Sequence, residues 1–190
     1  MNAPSRWDLV TLAGCRLAIG GYPAFRYDGR GGGAQGTARA EPDGGLALNF
    51  PPQQVHIPAL SSATTQLLGL PLPPGLRIEI LTDRLEGRLD PASGAVQLAF
   101  EARFRFRVAV AGRPLLLPPD LLVQAALSSG DCRSERHRRQ GSPRNRAGDT
   151  TLVGVAQVPP CGATWLDRFL GLPDEALAVL HCRLAPAAQA

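Results

Sequence analysis

Lysine is absent from this chain, and all 20 of its basic residues are arginines. Aromatic residues make up only 5% of the sequence, so leucine, valine and alanine must fill most of any core. No run reaches the ~18 uninterrupted apolar residues that a membrane-spanning helix needs. The four cysteines include no Cys-x-x-Cys pair, and their spacing matches neither a zinc module nor a disulfide framework. We therefore expect that the protein binds no metal and that its thiols are reduced.

Signatures of catalysis and of cofactor binding are also missing. The sequence has no Gly-x-Ser-x-Gly elbow and no Walker loop. Residues 31–36 formally match Gly-x-Gly-x-x-Gly, but a dinucleotide site needs that motif between an apolar strand and a helix. Proline and glycine follow it instead, so we expect no cofactor. An enzyme is the least favoured class, because it would require His56, His181 or Cys182 to converge at an open pocket.

The N-terminal segment carries only a weak resemblance to an export signal. Residues 12–15, Leu-Ala-Gly-Cys, resemble the lipobox of lipoproteins, but Asp8 interrupts the apolar segment that should precede them. Alternate residues from Trp7 to Ile19 read instead as one face of a β-strand. We therefore predict a cytoplasmic protein, with peripheral membrane attachment left open, and we disfavour lipoprotein export.

The strongest pattern in the sequence is the alternation from Val96 to Val110. Every second residue is apolar, and arginines stand among the residues between them. A period of two over this length predicts a long β-strand with one dry face and one wet, basic face. A second alternating run, 76–89, precedes it across a turn and changes phase near Thr82 and Asp83. The two runs predict a long antiparallel hairpin with a β-bulge at the phase change.

The rest of the chain predicts short elements separated by turns. With 18 prolines and 21 glycines, we expect a single mainly β (α+β) domain over residues 1–190. Its architecture would be a strongly bent antiparallel sheet or a barrel-like sandwich. Two or three short helices are predicted to begin at Ser61 or Ser62, at Thr164 and at Pro173. Leu68-Gly69-Leu70-Pro71 recurs at residues 170–173, which leaves a weak internal duplication open. Further strands are expected at 7–19, 34–40, 46–50, 55–57, 121–127 and 151–158.

Positive charge is concentrated in one polar segment, residues 130–148, which we predict to be a mobile loop. The net charge of the chain is +4, and six arginines against one glutamate between residues 132 and 146 contribute +5. Guanidinium groups suit phosphates and carboxylates, so an anionic lipid or an acidic protein are candidate partners; a solvated loop with no partner is the alternative. The segment has no aromatic residue on which bases could stack, which argues against specific nucleic-acid binding. The candidate anion-binding residues are Arg133, Arg136, Arg138, Arg139, Arg144 and Arg146.

The dry face of the long strand indicates the leading function. Long amphipathic ribbons closed by short helices either pack solid or enclose an apolar ligand. We therefore predict a non-catalytic binding protein for a hydrophobic or amphipathic ligand, such as a lipid or a pigment, with Phe100, Phe104, Phe106 and Val108 as its ligand face. The alternative is a structural or assembly factor that binds an acidic protein through the Arg-rich loop and the wet strand face. The size and lining of any internal cavity separates the two.

Overall fold

The computed structural model describes residues 4–188. Almost all of its regular structure is β, as the short alternating runs predict. The only α-helix among these residues, α1, spans Thr164–Leu170, and a single-turn 3-10 helix spans Pro52–Gln54. The strands, in chain order, are β1 (Ser5–Thr11), β2 (Cys15–Ile19), β3 (Phe25–Tyr27), β4 (Gly33–Ala40), β5 (Leu46–Asn49), β6 (Val55–His56), β7 (Thr65–Leu67), β8 (Leu70–Pro71), β9 (Leu76–Leu89), β10 (Val96–Val110), β11 (Arg113–Leu116), β12 (Leu121–Ser128), β13 (Asp131–Arg133), β14 (Arg138–Gln140), β15 (Asp149–Val158) and β16 (Asp174–Pro186).

Eight of the strands form a ring. The order of hydrogen-bonded neighbours is β1-β4-β5-β9-β10-β12-β15-β16, and β16 pairs with β1 again. Further along its length the same edge of β16 pairs with β2, from which β3, β7 and β8 continue as a branch. The sheet is antiparallel, strongly bent and partly ring-like. The predicted mainly β class and bent antiparallel sheet are therefore confirmed.

The hairpin of β9 and β10 is the longest pairing in the ring. Leu89 lies opposite Val96, and the two strands keep this register as far as Glu101. The register shifts between Glu101 and Ala102. Asp83 is the extra residue of β9 at that point, since Arg84 lies opposite Glu101 and Thr82 opposite the next residue. The bulge that the phase change predicts is confirmed. It lets both halves of β9 turn their apolar residues toward the inside of the ring.

The two ends of the ring are packed differently. At the end where β9 turns into β10, which we call the closed end, side chains from facing strands fill the interior. Leu48, Leu98 and Leu152 are at most 2% exposed there, and Leu184 is fully buried. At the opposite end, where β9 begins and β10 ends, the interior is hollow. We call this the open end.

Two of the three helix predictions, at Ser61 or Ser62 and at Pro173, are wrong. The segment after Ser61 forms a turn and then β7, and Pro173 is followed by β16, which is extended as far as Pro186. The residues after Pro173 do carry helix-start signals, but β16 pairs with β15 on one edge and with β1 and β2 on the other. Those hydrogen bonds, together with burial of alternate residues, outweigh local helix propensity.

The helix at Thr164 is confirmed. The Asp167 carboxylate accepts hydrogen bonds from the backbone N–H groups of Cys161 and Gly162, at 2.8 and 3.1 Å, which fixes the turn before the helix. Gly171 ends the helix in the left-handed conformation (φ 71°). In the matching tetrapeptide at residues 68–71, Leu68 and Gly69 form the turn between β7 and β8, and Leu70–Pro71 is β8. The two copies share a glycine with a positive φ (82° at Gly69 and 71° at Gly171), but only the second copy follows a helix.

Candidate functional site

An apolar cavity of about 350 Å³ lies inside the open half of the ring. Its floor is the upper surface of the packed core, at Leu98 and Leu152, and its walls come from the inner faces of β2, β9, β10, β12 and β16. Cavities of roughly 300–1,000 Å³ lined by apolar side chains are typical of small-molecule sites. The hollow half of this ring is therefore the candidate ligand site.

The walls of the cavity are accessible, although they face inward. Ile78, Ile80, Phe100 and Phe104 are only half buried, whereas their counterparts at the closed end are almost completely buried. A sheet face that packs against other side chains excludes water throughout. Partial exposure on an inward face therefore shows that side chains from the facing strands do not meet across the open half.

Few polar groups reach the cavity. The lining includes the side chains of Thr11, Tyr22, Tyr27, His56 and Cys182 but no arginine, aspartate or glutamate. The Tyr27 hydroxyl donates a hydrogen bond to the Pro58 carbonyl (2.6 Å), and burial raises the pKa of this phenol well above its usual range. The wall is thus suited to an uncharged, apolar occupant.

Aromatic side chains mark where the cavity reaches the surface at the open end. Phe169 of α1 lines the cavity and is 57% exposed. The ring of Tyr22 lies between those of Phe169 and Phe25, at centroid distances of 5.8 and 6.4 Å. The Tyr22 hydroxyl also donates a hydrogen bond to the Phe169 carbonyl (2.7 Å), which ties the loop after β2 to α1. The helix and this loop together form one side of the mouth.

The structure places the predicted ligand face as follows. Phe100, Phe104 and Phe106 line the cavity, whereas Val108 is half buried and does not line it. At Val108, β10 pairs with Leu76 of β9 on one edge and with β11 on the other.

Sequence reasoning missed the wall that faces this strand. Ala176, Ala178 and Leu180 of β16 line the cavity from the opposite side. Their alternation was the available signal, but the helix prediction for this segment concealed it.

The wet face of β10 is neutralised by acidic partners. Arg103 pairs with Asp83 at 2.8 Å, Arg107 with Glu79 at 3.1 Å, and Arg105 with Asp120 at 2.9 Å. The hydrogen bonds from Arg105 hold the pKa of the Asp120 carboxyl below its usual range. This face therefore offers little unbalanced positive charge to an acidic partner.

The Arg-rich segment forms a hairpin, β13 and β14, that lies on the outer face of the ring. Cys132 packs there against Val153 and Val179. The hairpin tip is held by Glu175, a carboxylate only 5% exposed, which accepts hydrogen bonds from the Ser134 hydroxyl (2.6 Å) and the Gln157 side chain (3.1 Å). These bonds lower the pKa of Glu175.

The six candidate anion-binding arginines do not converge on one point. Arg136 pairs with Asp174 at 2.8 Å. Arg144 donates a hydrogen bond to the Leu184 carbonyl (2.6 Å) and lies over the Trp7 ring at 5.4 Å, so it stabilises the closed end. The others have exposed side chains without an ion pair among the described residues; they are Arg133, Arg138, Arg139 and Arg146.

Within residues 4–188, no hydrogen bond joins the side chain of a histidine to that of a cysteine. His56 and Cys182 both line the cavity, but no hydrogen bond joins them, and burial raises the pKa of the Cys182 thiol to about 12. A protonated thiol is a poor nucleophile. The His181 ring instead shares a hydrogen bond with the Thr151 hydroxyl at 3.0 Å.

No metal site or membrane helix is formed by the part of the chain that the structure describes. Within residues 4–188, no three His, Cys, Asp or Glu side chains are grouped as metal ligands would be. No helix in the same range is long and apolar enough to cross a membrane. Cys15, the lipobox-like cysteine, is buried in β2 and contacts the backbone of His181. Gly36 of the glycine-rich motif lies in β4, where a Cβ atom would overlap the Asn49 carbonyl oxygen.

Compared with known protein families, with curated proteins and with solved structures, the chain matches none of them. A proposal for its function therefore rests on the cavity and the surfaces around it.

Proposed function

We propose that this protein is a non-catalytic binding protein for a hydrophobic or amphipathic small molecule, such as a lipid or a pigment. The bent sheet would act as a barrel-like enclosure, and the apolar part of the ligand would occupy its open half. The single observation that carries the proposal is the apolar cavity of about 350 Å³. A cytoplasmic location remains part of the same proposal.

The energetics of the cavity favour an apolar occupant. Side chains that line a hollow lack partner atoms on one side and so lose dispersion contacts. The walls of this cavity of about 350 Å³ are in that position, since the facing strands do not meet across it. An apolar ligand restores the missing dispersion contacts. A sequence that surrounds this volume with Phe100, Phe104 and Phe106 therefore fits a ligand site better than a packed core.

The lining also limits the chemistry of the ligand. Since no carboxylate or guanidinium group lines the cavity, a charged group on the ligand would be buried without a partner. The enclosed part is therefore uncharged, and the charged head group of an amphipathic ligand would remain at the open end. At ~30 Å³ each, about a dozen water-sized groups fill this volume, which suits a medium acyl chain or a small ring system.

The first test is the content of the purified protein. Native mass spectrometry and organic extraction should recover a bound small molecule. After stripping, the protein should bind the dye 1-anilinonaphthalene-8-sulfonate saturably, and laurate should displace it. Repeated preparations that carry no molecule and bind no dye would contradict the proposal.

A matched pair of variants on β12 locates the binding. Ala125 lines the cavity, whereas Ala126 is exposed on the outer face. Ala125→Phe should weaken dye binding by about tenfold or more, because overpacking a filled space costs ~1–3 kcal/mol. Ala126→Phe adds the same group outside and should leave binding unchanged. Equal binding by the two variants would place the dye elsewhere.

An assembly factor that binds an acidic protein is the second candidate, supported by the unpaired hairpin arginines. Its weakness is the wet face of β10, whose arginines are already paired. Exchanging Arg133, Arg138, Arg139 and Arg146 for Gln should abolish a salt-sensitive protein partner if this function is correct. Retention of the partner by this variant would exclude it.

A further inference from the structure

Exposed apolar side chains are concentrated at the open end. Ten large apolar residues are exposed within residues 4–188, and eight of them, all except Val10 and Leu122, lie on the segments at that end. Leu68 is 78% exposed, Leu115 64% and Leu117 65%, and Trp165 is 42% exposed. Scattered single apolar residues need no explanation, but a cluster of this kind marks an interaction surface. We call this cluster the apolar rim.

The topology brings the rim together from three separate loops. The β7–β8 turn carries Leu68, the β10–β11 hairpin and the segment after it carry Leu115 and Leu117, and α1 carries Trp165 and Phe169. Ala109, near the end of β10, donates its N–H to the Gly75 carbonyl (2.9 Å), which joins the base of the β10–β11 hairpin to the segment between β8 and β9. The side chains of α1 pack into the same end beside Phe106 and Leu121. The rim thus surrounds the mouth of the cavity.

Positive charge borders the apolar rim. Arg113 lies in the β10–β11 hairpin and Arg168 on α1, and neither makes an ion pair within the described residues. The tip of the basic hairpin reaches the same end, because Arg136 pairs there with Asp174, the first residue of β16. Arg133 and Arg138, which lie opposite each other beside that tip, are exposed. Glu135 is the one acidic residue of the tip.

We propose that the open end docks on an anionic lipid bilayer. Apolar loop tips, led by Leu115, Leu117 and Trp165, enter the headgroup region, while the bordering arginines contact lipid phosphates. Aromatic residues such as Trp165 are favoured at that depth. The rim is a set of separate loop tips around a mouth, which suits a fluid surface rather than one peptide or one helix.

The proposal rests on the proposed function in one respect. If the cavity takes a lipid, docking at its mouth lets the apolar part move between bilayer and cavity without crossing water. The docking itself needs only the rim and its arginines. Failure of the two proposals can therefore be distinguished experimentally.

The chain supplies its own probe for docking. Its two tryptophans are Trp165 in the rim and Trp7, which is 6% exposed in the closed core. Adding phosphatidylglycerol–phosphatidylcholine vesicles should shift the tryptophan emission to the blue and protect it from acrylamide. Trp165→Phe should remove that change while the protein still sediments with vesicles. A signal that persists in this variant would show that the rim does not enter the bilayer.

Variants then test which residues carry the docking. Leu115→Glu with Leu117→Glu should reduce vesicle partitioning by about tenfold or more, since both insert carboxylates where apolar groups bury. Val10→Glu, at an exposed apolar position away from the rim, is the matched control and should bind as the unaltered protein does. Arg113→Gln and Arg168→Gln should each lose about fivefold on anionic vesicles, with no change on neutral ones, at ~1 kcal/mol per arginine. Undiminished partitioning of the double Glu variant, or equal binding of the unaltered protein to neutral vesicles, overturns the proposal.

Two further measurements separate the alternatives. Ala125→Phe should lose dye binding but keep vesicle binding, and the double Glu variant should do the reverse. If light scattering shows a dimer that the double Glu variant converts to monomer, the rim is an interface between copies of this chain and membrane docking is excluded.

Discussion

Leu180 and Leu184 allow a direct test of the difference between the two halves of the ring. Both lie on the inner face of β16, but Leu184 is fully buried in the closed core, whereas Leu180 is half buried and lines the cavity. Replacing leucine with alanine removes three carbons, worth ~2.4 kcal/mol in transfer free energy at ~0.8 kcal/mol each. For Leu184→Ala the new void adds to this, giving about 4 kcal/mol. For Leu180→Ala part of the side chain already faces the cavity, so we expect a loss of about 1–2 kcal/mol.

The measurement is the free energy of unfolding in urea, followed by far-ultraviolet circular dichroism on protein stripped of ligand. Leu184→Ala should lower the midpoint about two to four times as much as Leu180→Ala. Leu180→Ala enlarges the cavity and should alter the affinity for an apolar dye, while Leu184→Ala should not. Equal losses of stability would mean that the interior is packed evenly along its length, and the cavity argument would fail.

Three further predictions concern the side chains of Arg144, Glu175 and Cys182. Arg144→Gln should lower the free energy of unfolding in urea by about 1–2 kcal/mol, because it loses the stacking on Trp7 and a hydrogen bond. Arg146→Gln, at an exposed neighbouring position, is the control and should leave the stability unchanged. Equal effects of the two substitutions would refute the structural role of Arg144. Hydrogen bonding lowers the pKa of Glu175 from its ordinary value of 4.5, so its stabilising contribution is complete above that value and is lost as the pH falls through the folded-state pKa. The stability difference between the unaltered protein and Glu175→Gln should therefore shrink on acidification, and a difference that grows would contradict this sign. Since burial raises the pKa of Cys182 to about 12, iodoacetamide should alkylate it only after unfolding, as peptide mass mapping would reveal; rapid labelling of the folded protein would refute it.

The long hairpin could be predicted because its sequence pattern and its environment agree. Alternation over β9 and β10, the turn between them and the bulge at Asp83 all follow from a period of two and one phase change. Strands with one apolar face against a shared interior leave that pattern in the sequence directly. The inward direction of Phe100, Phe104 and Phe106 was for the same reason predictable.

β16 could not be predicted because two patterns overlap in it. Leu177, Leu180 and Leu184 follow a helical spacing, while Ala176, Ala178 and Leu180 follow the spacing of a strand. Leu177 is buried on the outer face against Val153, so both faces of this strand are apolar. A strand covered on both faces loses the alternation of apolar and polar residues that identifies it. For this segment, only the pairing with β1, β2 and β15 decides between a helix and a strand.

The cavity and the apolar rim left weaker signals. Whether an apolar face packs or encloses a ligand depends on how far apart the facing strands lie, which no single strand encodes. The rim is assembled from loops that are distant in sequence, and Leu115-Leu116-Leu117 was its only local sign. The Arg-rich segment showed its charge clearly, but its attachment through Glu175 depends on a residue some 40 positions away.

Because the two halves of the ring are packed unequally, they tolerate substitutions differently. Exchanges among residues of the tightly filled half are penalised because they unfold the protein. Exchanges in the hollow half change the shape of the cavity at a smaller cost in stability. If the cavity holds a ligand as proposed, a few changes among its wall residues would alter which apolar compounds fit, without a compensating gain in stability elsewhere.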